Sequence, residues 1–142
     1  MMTKKCVICV LLLVGMSLTG CSDRCRLSGT VSFEDGTPVT RGMVIFTTNT
    51  FQAKGEIQPD GSFSAGSEKA GNGIPKGTYQ VYVSGIGKTV PGMSFGTMEM
   101  SRYVPLCHEK YESAASSGLT CTVPAPGNKY DIVLEPHPVN YP

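Results

Sequence analysis

The chain has 142 residues, with 12 lysines and arginines against 11 aspartates and glutamates, 17 glycines, 10 prolines and no tryptophan. That length fits a single domain, and a formal net charge of +1 with both signs scattered excludes a nucleic-acid-binding role, which would need a basic face. The abundance of Gly and Pro favours short strands and turns over long helices.

The first 20 residues read as a cleaved signal peptide. Lys4 and Lys5 charge the N-terminus, Cys6 to Val14 is continuously apolar, and small residues precede Cys21. The apolar run is shorter than the about 20 residues a spanning helix needs, and Gly15, Ser17, Thr19 and Gly20 interrupt its continuation. Leu18, Thr19, Gly20 and Cys21 together resemble the lipobox of bacterial lipoproteins. The resemblance implies cleavage before Cys21, a diacylglyceryl group on its thiol and a fatty acyl chain such as palmitate on its new amine. A bacterial membrane is then the first partner, reached through the lipid. About 120 residues remain after cleavage, and loss of Lys4 and Lys5 takes the formal charge from +1 to −1. In proteobacterial sorting an aspartate directly after the lipidated cysteine favours inner-membrane retention. Ser22 holds that position here, which points to the outer membrane or cell surface. Residues 21–26 read as a short lipidated tether.

Residues 27–135 read as one β-domain. The chain alternates through Leu27, Gly29, Val31 and Phe33 and then meets turn chemistry at Glu34, Asp35, Gly36, Thr37 and Pro38. Residues 43–46 form a compact run of β-formers. Residues 51–58 predict a third strand, the Pro59, Asp60, Gly61 sequence a tight turn, and residues 62–65 the hairpin partner of the third strand. Tyr79, Val81 and Val83 alternate with Thr78, Gln80 and Tyr82 in the clearest strand of the chain. Residues 86–117 read as a long irregular loop, residues 118–123 and 130–135 as two further strands, and residues 136–142 as a frayed tail. Seven short strands predict an antiparallel β-sandwich whose two hidden faces make the core.

Gly29, Thr30, Val31, then Asp35, Gly36, Thr37, Pro38, Val39, Gly42 and Val44 resemble the opening of the carboxypeptidase regulatory-like domain. Gly55, Glu56, Ile57 with Pro59 to Phe63, and Ile74 to Val81, are similar to its next hairpin and its proline, glycine, tyrosine strand. The C-terminal part, with Lys110, Tyr111, Ser117 to Thr120 and Tyr130 to Leu134, is similar to small planctomycete-type lipoproteins. The resemblance implies an all-β, immunoglobulin-like or transthyretin-like sandwich that serves as an accessory or structural module without catalysis. Two relatives in shape are set aside. Hydroxyisourate hydrolase ends in a tyrosine, arginine, glycine, serine motif where this chain has Val139, Asn140, Tyr141 and Pro142, and intradiol dioxygenases hold iron with two closely spaced histidines where His108 and His137 lie far apart. Self-crosslinking by an isopeptide bond needs a lysine near the first strand, which offers only Arg26.

Three cysteines follow Cys21: Cys25, Cys107 and Cys121. Export permits a disulfide, and a Cys107–Cys121 bridge would contribute about 3 kcal/mol on the chain-entropy model. Cys121 also shares strand parity with Leu119 and Val123, the pattern of a small buried apolar residue, so the pairing stays open. Catalysis has little support: His108 and His137 form no nucleophile, histidine and acid set, and His108 lacks a second histidine one turn later for a helical zinc site. The chemistry predicts no enzyme and no cofactor. Met93, Met98, Met100, Cys107 and His108 are donors of the kind that select Cu(I), set against methionine's commoner use as an adaptable filler. The functional expectation is a membrane-anchored, non-catalytic envelope lipoprotein that acts as a structural or protein-interaction module. The alternative is a surface carbohydrate-binding module that uses Tyr82 beside Gln80, joined by Tyr103 and Tyr111.

Overall fold

The computed structural model describes residues 24–69 and 71–139. Leu18, Thr19, Gly20 and Cys21, with the rest of the predicted signal peptide, lie outside the described residues, as does the end of the tail from residue 140. In chain order the strands are β1 (Arg24–Cys25), β2 (Ser28–Phe33), β3 (Met43–Thr47), β4 (Gln52–Glu56), β5 (Ser62–Ser64) and β6 (Ile74–Pro75). They continue with β7 (Gly77–Ser84), β8 (Gly87–Phe95), β9 (Met98–Pro105), β10 (Leu119–Val123) and β11 (Ile132–Leu134). Short 3₁₀ turns at Glu109–Glu112 and Pro126–Asn128 flank β10. Among the described residues no helix is long and apolar enough to cross a membrane.

The seven strands expected from the sequence build an all-β sandwich. One sheet has the order β10-β7-β3-β4 and the other β11-β2-β5. Alternation explains the layering, because every second side chain points to the same face of a strand. Tyr79, Val81 and Val83 of β7 meet Val31 of β2 and Ile132 and Leu134 of β11 in one buried cluster. Phe46 of β3 spans the two layers. Its ring centroid lies 6.0 Å from Phe63 of β5 and 6.2 Å from Tyr130 at the approach to β11. Phe63 occupies a slot cleared by two glycines: an added Cβ would come within 3.1 Å of its ring at Gly29 and 2.9 Å at Gly55. At Gly29 the same Cβ would also lie 1.9 Å from the Tyr130 carbonyl oxygen, so the chain entering β11 comes up against β2 only where a side chain is missing.

Strand pairing departs from the expected pattern in two ways. β5 does not pair along β4 but joins β2, with Gly29 opposite Phe63, and the chain returns to β4 only at a Lys54–Gly66 bridge. The Pro59, Asp60, Gly61 turn is real, closed by Ser62 N–H and hydroxyl on the Asp60 carboxylate, yet it carries the chain from one sheet to the other. In this pairing the Phe63 ring is buried inside the sandwich. β11 pairs with β2 in parallel, and Asp131 Oδ1 accepts from both Thr30 N–H and Thr30 Oγ1 at 3.0 Å.

The boundaries also need correction. Residues 24–25 of the expected tether form β1 and pair with β6, Arg24 opposite Pro75, and the Arg24 guanidinium donates to Ser67 Oγ at 2.6 Å. The ordered domain therefore starts before residue 27. The tail is pinned at its beginning, with Pro136 bridged to Cys107 and His137 N–H donating to the Leu106 carbonyl at 2.8 Å. The largest difference is the segment 86–117, expected to be irregular. β8 and β9 form a long antiparallel hairpin within it, and Tyr111 and Ser117 are buried where residues 109–117 close the edge of β7 beside the start of β10. Ser117 Oγ donates to the Val81 carbonyl there, tying residue 117 to β7.

Candidate functional site

The soft donors do not converge. Met93, Met98 and Met100 sit on the β8–β9 hairpin and are 78%, 75% and 62% exposed, while Cys107 is fully buried. Met100 and Pro105 are both on β9, so about 17 Å of extended strand already separates Met100 from the residues around Cys107. The Cys107 thiol is pushed up to about 11, first by burial and then by the nearby Glu112 charge, which favours its protonated form. His108 Nδ1 accepts from Lys110 N–H at 3.2 Å and caps the 3₁₀ turn. Among the described residues no group of three or more His, Cys, Asp and Glu side chains is placed to hold a metal ion.

The Cys107–Cys121 bridge is not formed. Both thiols are buried and free, and Cys25 is free and half-buried. Cys121 lies on β10 opposite Tyr79 of β7 with its side chain in the core, as its parity predicts. Cys107 is held at the hairpin root by its bridge to Pro136. The three tyrosines of the carbohydrate reading also part company. Tyr111 is 6% exposed and in the core, the Tyr82 hydroxyl accepts from Gln52 Nε2 at 3.2 Å on the outer face of the larger sheet, and Tyr103 is on the hairpin.

At the hairpin root an open groove of about 420 Å³ runs past Glu34, Asp35, Lys88, Val104, Leu106 and His137. Two of its polar groups serve the backbone around them. Asp35 Oδ1 accepts from Thr37 N–H at 2.8 Å, a bond that holds the Asp35 carboxyl below its usual range. His137 Nδ1 accepts from Val139 N–H at 3.1 Å. Nearby, the Lys110 ammonium pairs with Glu135 and lies 4.9 Å from the Tyr111 ring centroid. Their hydrogen bond raises the Lys110 pKa and lowers that of Glu135. The pair ties residues 109–112 to the end of β11, and the Tyr111 hydroxyl also donates to Glu135 Oε1 at 3.4 Å.

The hairpin itself is the most unusual surface. Phe95 faces Met98 across the tip, and the two-residue loop has positive φ at its first position, Gly96, as a type II′ turn requires. A register shift between Pro91 and Ser94 inserts one extra residue in β8, so that Gly92 and Met93 together oppose Met100. Met93, Phe95, Met98 and Met100 therefore share one face, and Ser94, Glu99, Ser101 and Tyr103 share the other. All four apolar side chains are more than 60% exposed. The sequence reading named the methionines as metal donors and missed Phe95. The period-two spacing of Met98, Met100, Arg102 and Val104, with a Gly96–Thr97 turn before it, carried the signal.

Comparison with protein-family models, with curated proteins and with solved structures finds no match.

Proposed function

We propose that this chain is a lipid-anchored, non-catalytic protein of a bacterial cell envelope, built on a carboxypeptidase regulatory-like sandwich and displaying the β8–β9 hairpin for interaction with protein. The lipobox-like Leu18, Thr19, Gly20 and Cys21 run supports the anchor. The position of the hairpin supports the interaction role and carries the reading. β1 pairs with β6 immediately before Gly77, where β7 begins, whereas the hairpin leaves just after Ser84, where β7 ends. The root thus stands about 25 Å from the end at which the described chain starts. A tether attached at Arg24 would hold one end of the sandwich at the bilayer and turn the apolar hairpin outward. Each buried CH₂ of an acyl chain contributes about 0.8 kcal/mol, so the three chains of a mature lipoprotein would make release negligible.

Metabolic labelling with palmitate tests the anchor. The full chain should take up label and sediment with membranes, and Cys21→Ala should take up none and accumulate as unprocessed precursor. Label entering Cys21→Ala would refute the lipobox reading.

A further inference from the structure

The β8–β9 hairpin leaves the sandwich with large apolar side chains in water on one of its two faces. A lone two-stranded hairpin is marginally stable in water, and large apolar clusters exposed on a monomer mark interaction surfaces. The open backbone edges of this hairpin are poor docking sites. Pro91 and the bulge beside it interrupt β8, and Glu99 and Arg102 place charges along β9, the devices that discourage strand addition. The face remains.

We infer that the apolar face of Met93, Phe95, Met98 and Met100 packs against the same face of a second copy of this chain, making a twofold dimer with two stacked hairpins. The tip half of this face, from Met93 to Met100, is apolar and can meet itself in an isologous contact; Arg102, next along β9 on the same face, lies beyond it. Complete covering of its four side chains would remove roughly 500 Å² per copy and about 1,000 Å² per pair, the size of a small interface. Each copy keeps Ser94, Glu99 and Ser101 on the outer side of the stack, in water. Insertion of the tip into a bilayer fits less well, because Glu99 follows Met98 directly and would be carried into the headgroups with it. The stacked arrangement rests on the interaction role proposed above and agrees with an anchor at the opposite end: two copies standing side by side on one membrane bring their outward hairpins together.

Cysteine crosslinking on the full chain in intact membranes tests this. Met100→Cys lies on the apolar face and Ser101→Cys, one residue on, lies on the polar face, so both have equal access to oxidant and differ only in direction. With copper phenanthroline, Met100→Cys should give a disulfide-linked dimer at least ten times more efficiently than Ser101→Cys, and adding Phe95→Lys should abolish that dimer. Equal crosslinking at the two positions, an undiminished dimer with Phe95→Lys, or no Met100→Cys dimer would overturn the inference. A Met100→Cys thiol that couples only to another envelope protein, or that lipid shields from a water-soluble thiol reagent, would overturn it too. Palmitate uptake is scored separately on the same membranes, so failure of the anchor and failure of the dimer are told apart.

Discussion

Replacing Phe46 with Ala should remove the contact that joins the two sheets. Phe46 is fully buried, and its ring touches Phe63 and Tyr130 of the opposite layer at centroid distances of 6.0 and 6.2 Å. Phe→Ala in a core costs about 3–5 kcal/mol from lost transfer energy and the cavity left behind. The upper half of that range is expected here. Phe63 is held in its slot by Gly29 and Gly55, so it cannot swing far to fill the void, and two aromatic pairs worth about 0.5–1.5 kcal/mol each are lost within the total. Against a typical domain stability of about 5–15 kcal/mol, the loss is a large share. With a urea m-value of about 2 kcal/mol/M, the unfolding midpoint should fall by about 2 M at unchanged slope. Because the chain has no tryptophan, far-UV circular dichroism is the natural probe. Val133 on β11 is 56% exposed between two buried neighbours, and Val133→Ala should stay within about 0.5 kcal/mol of wild type. A loss below about 1 kcal/mol for Phe46→Ala, or equal losses for the two variants, would refute the two-layer core.

Two further outcomes follow from the thiols and the ion pair. In the native protein at about pH 8, iodoacetamide should alkylate Cys25 well before Cys107 and Cys121, whose thiols burial holds above their ordinary pKa. All three should react after denaturation without reductant; two that stay unreactive until reduced would show that a bridge exists after all. Glu135 is held below its ordinary carboxyl value by Lys110, so its contribution is complete above that value and is lost as pH falls through the lower, folded one. Thermal scans of wild type and Glu135→Gln should therefore differ at neutral pH and converge by about pH 2; a gap that stays constant would mean that the carboxylate's charge contributes nothing.

The legible part of the fold was the part governed by burial. Alternation in residues 27–33, 77–83 and 118–123 marks strands with one dry face, and the structure puts Val31, Val81 and Cys121 inside. Pairing was less legible, because the Pro59, Asp60, Gly61 turn suits a hairpin and a crossing between sheets equally well. Phe63 finds its room beside Gly29 and Gly55, a long-range property. The hairpin was misread because its apolar residues are exposed and its strands carry Pro91, Gly92 and Gly96, which locally signal loop. The same reasoning placed the methionines in one loop with Cys107 and His108, and β9 then drew them apart. Lys110 and Glu135 carried no sequence signal, since only the return of β11 beside the 3₁₀ turn brings them together.

The parallel β11 also bears on when the molecule can fold. Asp131 and Thr30 are bonded across 101 positions of the chain, and β11 sits against β2 at the edge of the smaller sheet. Closing so long a loop is slow and gives nothing until both ends are present. The smaller sheet therefore stays incomplete until the last strand has been synthesised. For a chain exported as proposed, the sandwich would remain open until β11 had been made, and a leader engaging the export machinery before then would meet a polypeptide that had not yet locked.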